Sequence, residues 1–385
     1  MMGHAKSKGV VVVGIGLCAV AVLLFLQVEA QWKVLALGAG VIAALLLAEQ
    51  TGLRTRLEEA ATQQRTFTLS LAVMVILAVA GALHESHFAL LMLATVALYA
   101  TASLGLTIQF GYAGIANFAG AAFFGIGCYS AAVLATHTPL PHLFVIVAGG
   151  AMSALIGSVL ILPILRTRGH YAALITIAFG ILFRTFLEVN DTLGGPQGLK
   201  VPGMKILGWS FNEPIHFPGG VEASFYLNYV VLAVLLAASA YIVVKRLESS
   251  WIGLNFDAVR LDETAAAVCG IAIARWKILA FVSGNFLAGM AGAVYAMMTG
   301  FIAPNNFTFG DSLILVSIVI LGGVGNPLGS ILATLLLLVL PEKLQVIQEF
   351  RFLLYAILVI LILLYRPDGL LPRRLRKYFS RRAHE

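Results

Sequence analysis

The sequence predicts an all-α polytopic membrane protein, and three observations indicate this. Of the 385 residues, 60% are hydrophobic and only 11% are charged, whereas soluble domains have about 25% charged residues. The mean hydropathy is +0.95. Apolar runs of bilayer-spanning length recur along most of the chain, enough for about ten to twelve helices, some of them broken.

Twelve apolar segments are candidate spans, since a straight span needs about 20 apolar residues and a broken or shielded one needs fewer. They cover residues 9–27, 34–49, 67–83, 88–108, 113–135, 143–165, 171–189, 226–245, 276–300, 311–325, 328–345 and 350–366. The tenth and eleventh are the weakest candidates. The first run, preceded by Lys6 and Lys8, could be a cleaved signal, but its length and the second run directly after it favour an uncleaved helix.

Basic residues set the orientation, because cytoplasmic loops are enriched in Lys and Arg. With twelve spans both termini share one side, and 19 of the 25 basic residues fall on that side. These are Lys6, Lys8, Arg54, Arg56, Arg65, Arg166, Arg168, Lys245, Arg246, Arg260, Arg275, Lys277, Arg366, Arg373, Arg374, Arg376, Lys377, Arg381 and Arg382. The sequence therefore predicts cytoplasmic termini, and this placement explains the net charge of +7 without a nucleic-acid partner.

The chain is expected to comprise three regions. Residues 1–87 hold about three helices and a cytoplasmic linker, residues 88–372 form the main transmembrane domain, and residues 373–385 are a basic cytoplasmic tail. Within the main domain, the external loop 190–225 contains Gly194-Gly195-Pro196-Gln197-Gly198-Leu199 and is predicted to be ordered and rich in turns.

The cytoplasmic loop 246–275 is the most informative soluble piece. Its charged residues Asp257, Arg260, Asp262 and Glu263 precede the helix-favouring run 264–268. Gly270 follows, where a helix would end. A short helix of mixed charge between two spans has the right size to dock into a partner, and an ordinary amphipathic linker helix fits the pattern equally well.

Sequence motifs for enzymatic chemistry are missing. The chain contains no GxxxxGK[ST] phosphate loop, HExxH, GxSxG or paired CxxC motif. We therefore expect no catalytic, cofactor-binding or metal-binding residues, and no ATP hydrolysis by this chain. Cys18, Cys128 and Cys269 include no pair in an external loop, so no disulfide is expected.

Charged residues are rare inside the predicted spans. Arg184 and Glu188 lie four residues apart, on one helix face, and this spacing permits an ion pair near the external interface. A structural role for this pair is favoured over substrate contact. The scarcity of intramembrane carboxylates argues against a proton- or sodium-driven carrier, so energy for transport would come from outside the chain.

Glycines interrupt apolar segments in both halves of the chain, at 111–127 and 322–329. Such interruptions occur in broken helices that line transport paths, but small residues also let helices pack closely, and both interpretations stay open. Tyr112, Asn117 and Tyr129 are polar groups in or next to the glycine-broken fifth segment and are candidates for lining a path. Hydrogen bonds made for packing would explain them as well.

An ordered series of motifs resembles the LivM-type permease subunits of branched-chain amino acid ABC importers, from about residue 88 to 372. The motifs are Gly111-Tyr112-Ala113-Gly114, Ala121–Gly127 with Tyr129, Arg168-Gly169 with Tyr171, Ala178-Phe179-Gly180, Gly194–Leu199, Gly300-Phe301-Ile302 with Pro304, Leu321–Gly325 with Gly329, Leu340-Pro341-Glu342 and Tyr365–Leu371. The three extra N-terminal segments favour the LivM type over the shorter LivH type.

The resemblance implies an ABC importer permease fold in the bacterial inner membrane, working by alternating access. It implies an EAA-like coupling loop that docks onto an ATPase, formed by Arg260, Asp262, Glu263, Ala265, Ala266, Gly270 and Ile271. It also implies partners: two ABC ATPase subunits that hold ATP and Mg, a LivH-type second permease and a periplasmic substrate-binding protein.

Other functions remain to be weighed. Urea or short-amide importers share much of this pattern and form the nearest alternative. A self-sufficient channel or secondary transporter is a further alternative, and it would move solute without an ATPase. A membrane-embedded transferase would need a polar catalytic cluster, and the sequence provides none.

Overall fold

The computed structural model describes residues 4–27, 40, 65–167, 170–206, 208–216 and 222–343, and single positions between 350 and 373. Twelve α-helices are described: α1 (His4–Gln27), α2 (Arg65–Ala82), α3 (His87–Leu106), α4 (Gly120–His137), α5 (His142–Arg166), α6 (His170–Val189), α7 (Tyr226–Ser249), α8 (Trp251–Leu261), α9 (Glu263–Val268), α10 (Ile273–Thr299), α11 (Phe309–Gly322) and α12 (Pro327–Lys343). A π-helix (Thr107–Tyr112) continues α3, and short 3-10 helices cover Asp191–Leu193, Gly195–Gln197 and Pro304–Asn306.

Seven helices in the described part of the chain are long and apolar enough to cross a membrane. The longest, α10, has 27 residues and therefore spans about 40 Å, more than the roughly 30 Å hydrocarbon core of a bilayer. The predicted all-α polytopic fold is confirmed.

The centre of the molecule is α10, which packs against α3, α4 and α5. Glycines make these contacts possible. A Cβ atom added at Gly289 would lie 2.7 Å from the Gly149 carbonyl oxygen of α5, and one added at Gly127 of α4 would overlap the Gly289 carbonyl group. Helices in lipid gain from such close backbone approach, because apolar burial alone does not favour their association there.

Other helices pack around this centre. Helix α3 packs along α7, and α11 packs on α12, where a Cβ at Gly329 would overlap the carbonyl group of Gly322. At the outer edge, α1 contacts α2 and α2 contacts α7.

Among the residues that the structure describes, three two-stranded antiparallel sheets lie in the loops. Strand β1 (Leu199–Lys200) pairs with β6 (Phe301–Ile302), β2 (Lys205–Ile206) with β3 (Trp209–Ser210), and β4 (Ile215–His216) with β5 (Glu222–Ala223). The predicted turn-rich loop 190–225 is thus tied to the segment after α10. We call this end of the bundle the strand end and the opposite end, with α8 and α9, the short-helix end.

All ten predicted spans in the described part of the chain are helices, but one begins at the wrong residue. The segment predicted over 113–135 is helical only from Gly120 to His137. The preceding residues 113–119 form no helix. The predicted spans 34–49 and 350–366 lie outside the described residues except at single positions.

Candidate functional site

A break in a membrane helix forms the first part of the candidate site. After the π-helix Thr107–Tyr112, residues 113–119 are non-helical and α4 then begins at Gly120. Two glycines permit the break. Gly114 has φ +69, a backbone conformation that costs glycine little. At Gly111 the reason is space, because a Cβ there would lie only 2.6 Å from the Cα of Gly325.

Side chains satisfy the backbone of the broken segment. The N–H of Phe118 donates to Oγ1 of Thr176 (3.0 Å), and the N–H of Ala119 donates to Oδ1 of Asn117 (2.9 Å). The Ala121 N–H, in the first turn of α4, donates to Oγ of Ser312 at 3.1 Å. Non-helical backbone at membrane depth is tolerated only where protein or a water-filled cavity surrounds it, and here helices α6 and α11 supply the partners.

Three buried amide side chains meet beside this break. Nε2 of Gln109 donates to Oδ1 of Asn285 (2.8 Å) and to the Phe281 carbonyl (2.9 Å), while Nδ2 of Asn117 donates to Oε1 of Gln109 (2.8 Å). Each amide residue is at most 1% exposed. Asn285 lies twelve residues from the start of 27-residue α10, or about 18 Å along its axis, which is close to the middle of the span.

We call Gln109, Asn117 and Asn285 the amide cluster. One donor of this cluster has no acceptor among the described residues. It is Nδ2 of Asn285, which faces α5, where a Cβ at Gly157 would lie 2.5 Å from it. A buried polar atom without a partner costs about 1–3 kcal/mol. Such a cost in the middle of a membrane span marks the position as a candidate for function.

The second part of the candidate site is the short-helix pair α8 and α9. Oδ1 of Asp262 caps α9 by accepting from the N–H groups of Thr264 (2.8 Å) and Ala265 (3.0 Å). Gly270, with φ +77, follows the helix. The short helix predicted from the sequence, and its end at glycine, are therefore confirmed. Glu263, at the first position of α9, pairs with Lys277 of α10 at 2.7 Å.

The outer face of this pair is apolar and exposed. Leu261 is 83% exposed and Val268 is 86% exposed, whereas Ala266 is buried against the bundle. Ala265 lies on the exposed side of α9. Apolar side chains next to a charged, capped helix form a surface suited to another protein.

The inner face of the pair is attached to the bundle. Phe256 and Val259 of α8 are buried, and Trp276 of α10 makes edge-on ring contacts with Trp251 (5.3 Å between centroids) and Phe256 (6.0 Å). Nη1 of Arg260 donates to the carbonyl oxygen of Gly111 at 2.6 Å. The short-helix pair is thereby bonded directly to the broken helix.

At the strand end, Arg184 joins two segments. Its Nε donates to Oε1 of Glu188 at 2.9 Å and its Nη2 to Oδ1 of Asn305 at 3.0 Å. The predicted Arg184–Glu188 pair is confirmed. Both side chains are more than a third exposed, so the pair itself contributes little stability.

The candidate path residues do not converge. Tyr112 lies at the short-helix end, and Asn117 lies in the amide cluster. Tyr129 lies near the strand end, where its ring centroid is 5.9 Å from that of Phe307. All three are buried in this chain, and their role as path lining stays a prediction. Sequence reasoning missed Gln109 and Asn285, although amides within apolar segments are a recognisable signal.

The fold and this site define a polytopic membrane protein. In it, an exposed pair of short helices, α8 and α9, is hydrogen-bonded to a broken membrane helix. A protein-family model described as "Branched-chain amino acid transport system / permease component" matches residues 88–364. The chain belongs to this family.

Curated relatives agree with this assignment. The chain is 32% identical over 317 residues to the high-affinity branched-chain amino acid transport system permease protein LivM of Escherichia coli, covering 79% of this chain and 75% of the relative. It is 24% identical over 326 residues to a probable LivM of Methanocaldococcus jannaschii (72% and 91%). It is 23% identical over 290 residues to Escherichia coli LivH (71% and 91%). No solved structure gave a significant match.

Proposed function

We propose that this chain is the membrane-spanning permease subunit of an ABC importer that carries branched-chain amino acids across the bacterial inner membrane. The observation that carries the proposal is the bond between the short-helix pair and the helix break, through Arg260 and the Gly111 carbonyl. This hydrogen bond connects a surface suited to an ATPase subunit with the broken membrane helix at residues 113–119.

The amide cluster supports transport through the bundle. Asn285 lies near the middle of α10, and Gln109 and Asn117 donate to its Oδ1 beside non-helical backbone. In transporters, interrupted helices at mid-depth present backbone and side-chain polar groups to the substrate. The amide donor of Asn285 that lacks an acceptor in the described residues could bind a carboxylate or carbonyl oxygen in another conformation of the protein.

The short-helix pair supports an external source of energy. The exposed Leu261 and Val268 flank the capped helix α9, as expected of a helix that docks into a cleft of an ATPase subunit. In this proposal two ATPases bind ATP and Mg, and this chain hydrolyses nothing. The partners further include a LivH-type permease and a periplasmic substrate-binding protein, and both chain termini lie in the cytoplasm.

Reconstitution tests the proposal. The chain, co-expressed with a LivH-type permease and the two ATPases from its source genome, would be placed in liposomes with the binding protein and radiolabelled leucine. We expect leucine uptake that requires ATP. Glu263→Arg breaks the pair with Lys277 and reverses the charge of α9, so it should abolish ATPase association and uptake. Arg275→Gln, at an exposed arginine of the same end, should leave both unchanged.

Other outcomes separate the alternatives. ATP-driven uptake of urea without uptake of leucine would indicate an importer of short amides. Flux of leucine through liposomes that contain this chain alone would contradict the proposal and indicate a channel or secondary transporter.

A further inference from the structure

The chain returns to the short-helix end after the last predicted span and binds there through its backbone. The N–H of Leu370 donates to the Leu321 carbonyl (2.7 Å), and the N–H of Leu371 donates to the Gly322 carbonyl (3.1 Å). These acceptors are in the last turn of α11, whose final carbonyls have no partner within the helix. Gly369, with φ +77, packs so closely that a Cβ would lie 2.6 Å from the Cα of Gly323.

Arg373 extends from this docked segment to the helix break. Its Nη1 donates to the Gly111 carbonyl at 3.2 Å, and its Nη2 contacts Oδ1 of Asp257 on α8 at 2.5 Å. The guanidinium carbon lies 5.1 Å from the ring centre of Tyr112. One side chain thus contacts the break, the short-helix pair and the aromatic ring that ends the π-helix.

Two guanidinium groups and one carboxylate meet at this point. The Gly111 carbonyl accepts from both Arg260 and Arg373, and two neighbouring guanidinium groups repel each other. The Asp257 carboxylate on Arg373 offsets this repulsion. The side chains of Arg373 and Asp257 are only 15% and 17% exposed, so water screens their interaction less than it would at an open surface.

We propose that Arg373 is a positioning residue that holds the end of the broken helix to α8, so that displacement of the short-helix pair moves residues 111–117. This inference rests on the proposed function, because it assigns a role within ATP-driven transport. It predicts that the contacts of Arg373 with Gly111 and Asp257 are needed to couple ATP hydrolysis to transport, and are not needed for ATP hydrolysis itself. Without these contacts, Arg260 alone would hold α8 to the Gly111 carbonyl, and residues 111–117 would follow the short-helix pair less completely.

The test compares Arg373→Gln with Arg275→Gln in the complete reconstituted complex, measuring leucine uptake and ATP hydrolysis together. We expect Arg373→Gln to assemble and hydrolyse ATP but to carry about tenfold less leucine per ATP, in line with the loss of charge-assisted hydrogen bonds. A merely structural role would change the melting temperature of the complex without changing this ratio. Equal ratios in the two variants would overturn the inference.

A conservative variant covers the case in which Arg373→Gln does not assemble. Arg373→Lys keeps the positive charge beside Asp257, but an ammonium group lacks the planar fork that reaches Asp257 and the Gly111 carbonyl together. We expect an intermediate ratio of leucine to ATP, and a wild-type ratio would overturn the inference. If the wild-type complex shows no ATP-dependent leucine uptake, the proposed function fails first.

Discussion

Arg260 and Gly111 are 149 residues apart in the chain, yet Nη1 of the arginine lies 2.6 Å from the carbonyl oxygen of the glycine. The stem of the same arginine also packs on Gly114, where an added Cβ would lie 3.3 Å from its Cγ. Gly114 is one of the non-helical residues 113–119, and Gly111 lies two residues before them. The short-helix pair therefore touches the helix break itself.

The cap of α9 predicts a difference between two substitutions of Asp262. Asp262→Ala removes the acceptor for the Thr264 and Ala265 N–H groups and should cost about 0.5–2 kcal/mol of local stability. Asp262→Asn keeps an acceptor and should cost little. Hydrogen exchange at Thr264 and Ala265 measures this directly. Equal exchange rates in the two variants would contradict the role of the cap.

The exposed apolar face of the short-helix pair predicts weaker ATPase binding in Val268→Asp. Val268 is 86% exposed, so the substitution should leave the melting temperature of the chain unchanged while lowering co-purification of the ATPase. Trp209→Asp provides the control, because Trp209 is also exposed but lies at the strand end. Retention of the ATPase by Val268→Asp would show that the partner binds elsewhere.

Close packing of α4 on α10 predicts a severe effect of Gly127→Ala. The new Cβ would overlap the Gly289 carbonyl group, and overpacking of this kind costs about 1–3 kcal/mol or more. Gly81→Ala in α2 is the control, because its Cβ would have no neighbour within 4 Å. We expect a lower melting temperature for Gly127→Ala and an unchanged or slightly higher one for Gly81→Ala. Similar values for both would show that the helices can separate freely.

The amide cluster predicts that Gln109→Leu both destabilises the bundle and impairs uptake. The substitution removes donors to Asn285 and Phe281 and the acceptor of Asn117, which should cost about 1–3 kcal/mol. Ser158→Ala is the control, since its exposed hydroxyl bonds the Leu155 carbonyl of its own helix. If Gln109→Leu transports leucine as the wild type does, the cluster serves neither the path nor its position.

The sequence predicted the helices well because their signal is local. An apolar run such as 276–300 has few alternatives to a spanning helix, and the structure places α10 at Ile273–Thr299. The charges and alanines around Glu263 likewise predicted α9 and its end near Gly270. Composition and short-range propensity determine both elements.

The glycines at 111–127 indicated a possible broken helix, but the non-helical residues could not be predicted because their cause is not local. Residues 113–119 are as apolar as a span, and the departure from helix depends on distant partners such as Thr176 and Ser312. The contacts of Arg373 with Gly111 and Asp257 join three separate parts of the chain. Sequence spacing carries no information on such contacts, so the tail appeared only as a basic segment.

The most direct test of the account is the side of the membrane on which α9 lies. Cys269 follows α9, is exposed and forms no disulfide, whereas Cys128 is buried. In a Cys18→Ser variant, a membrane-impermeant maleimide should label Cys269 in inside-out vesicles and leave it unlabelled in intact spheroplasts. Labelling of Cys269 from outside the cell would place the short-helix pair away from any cytoplasmic ATPase and would contradict the proposed mechanism.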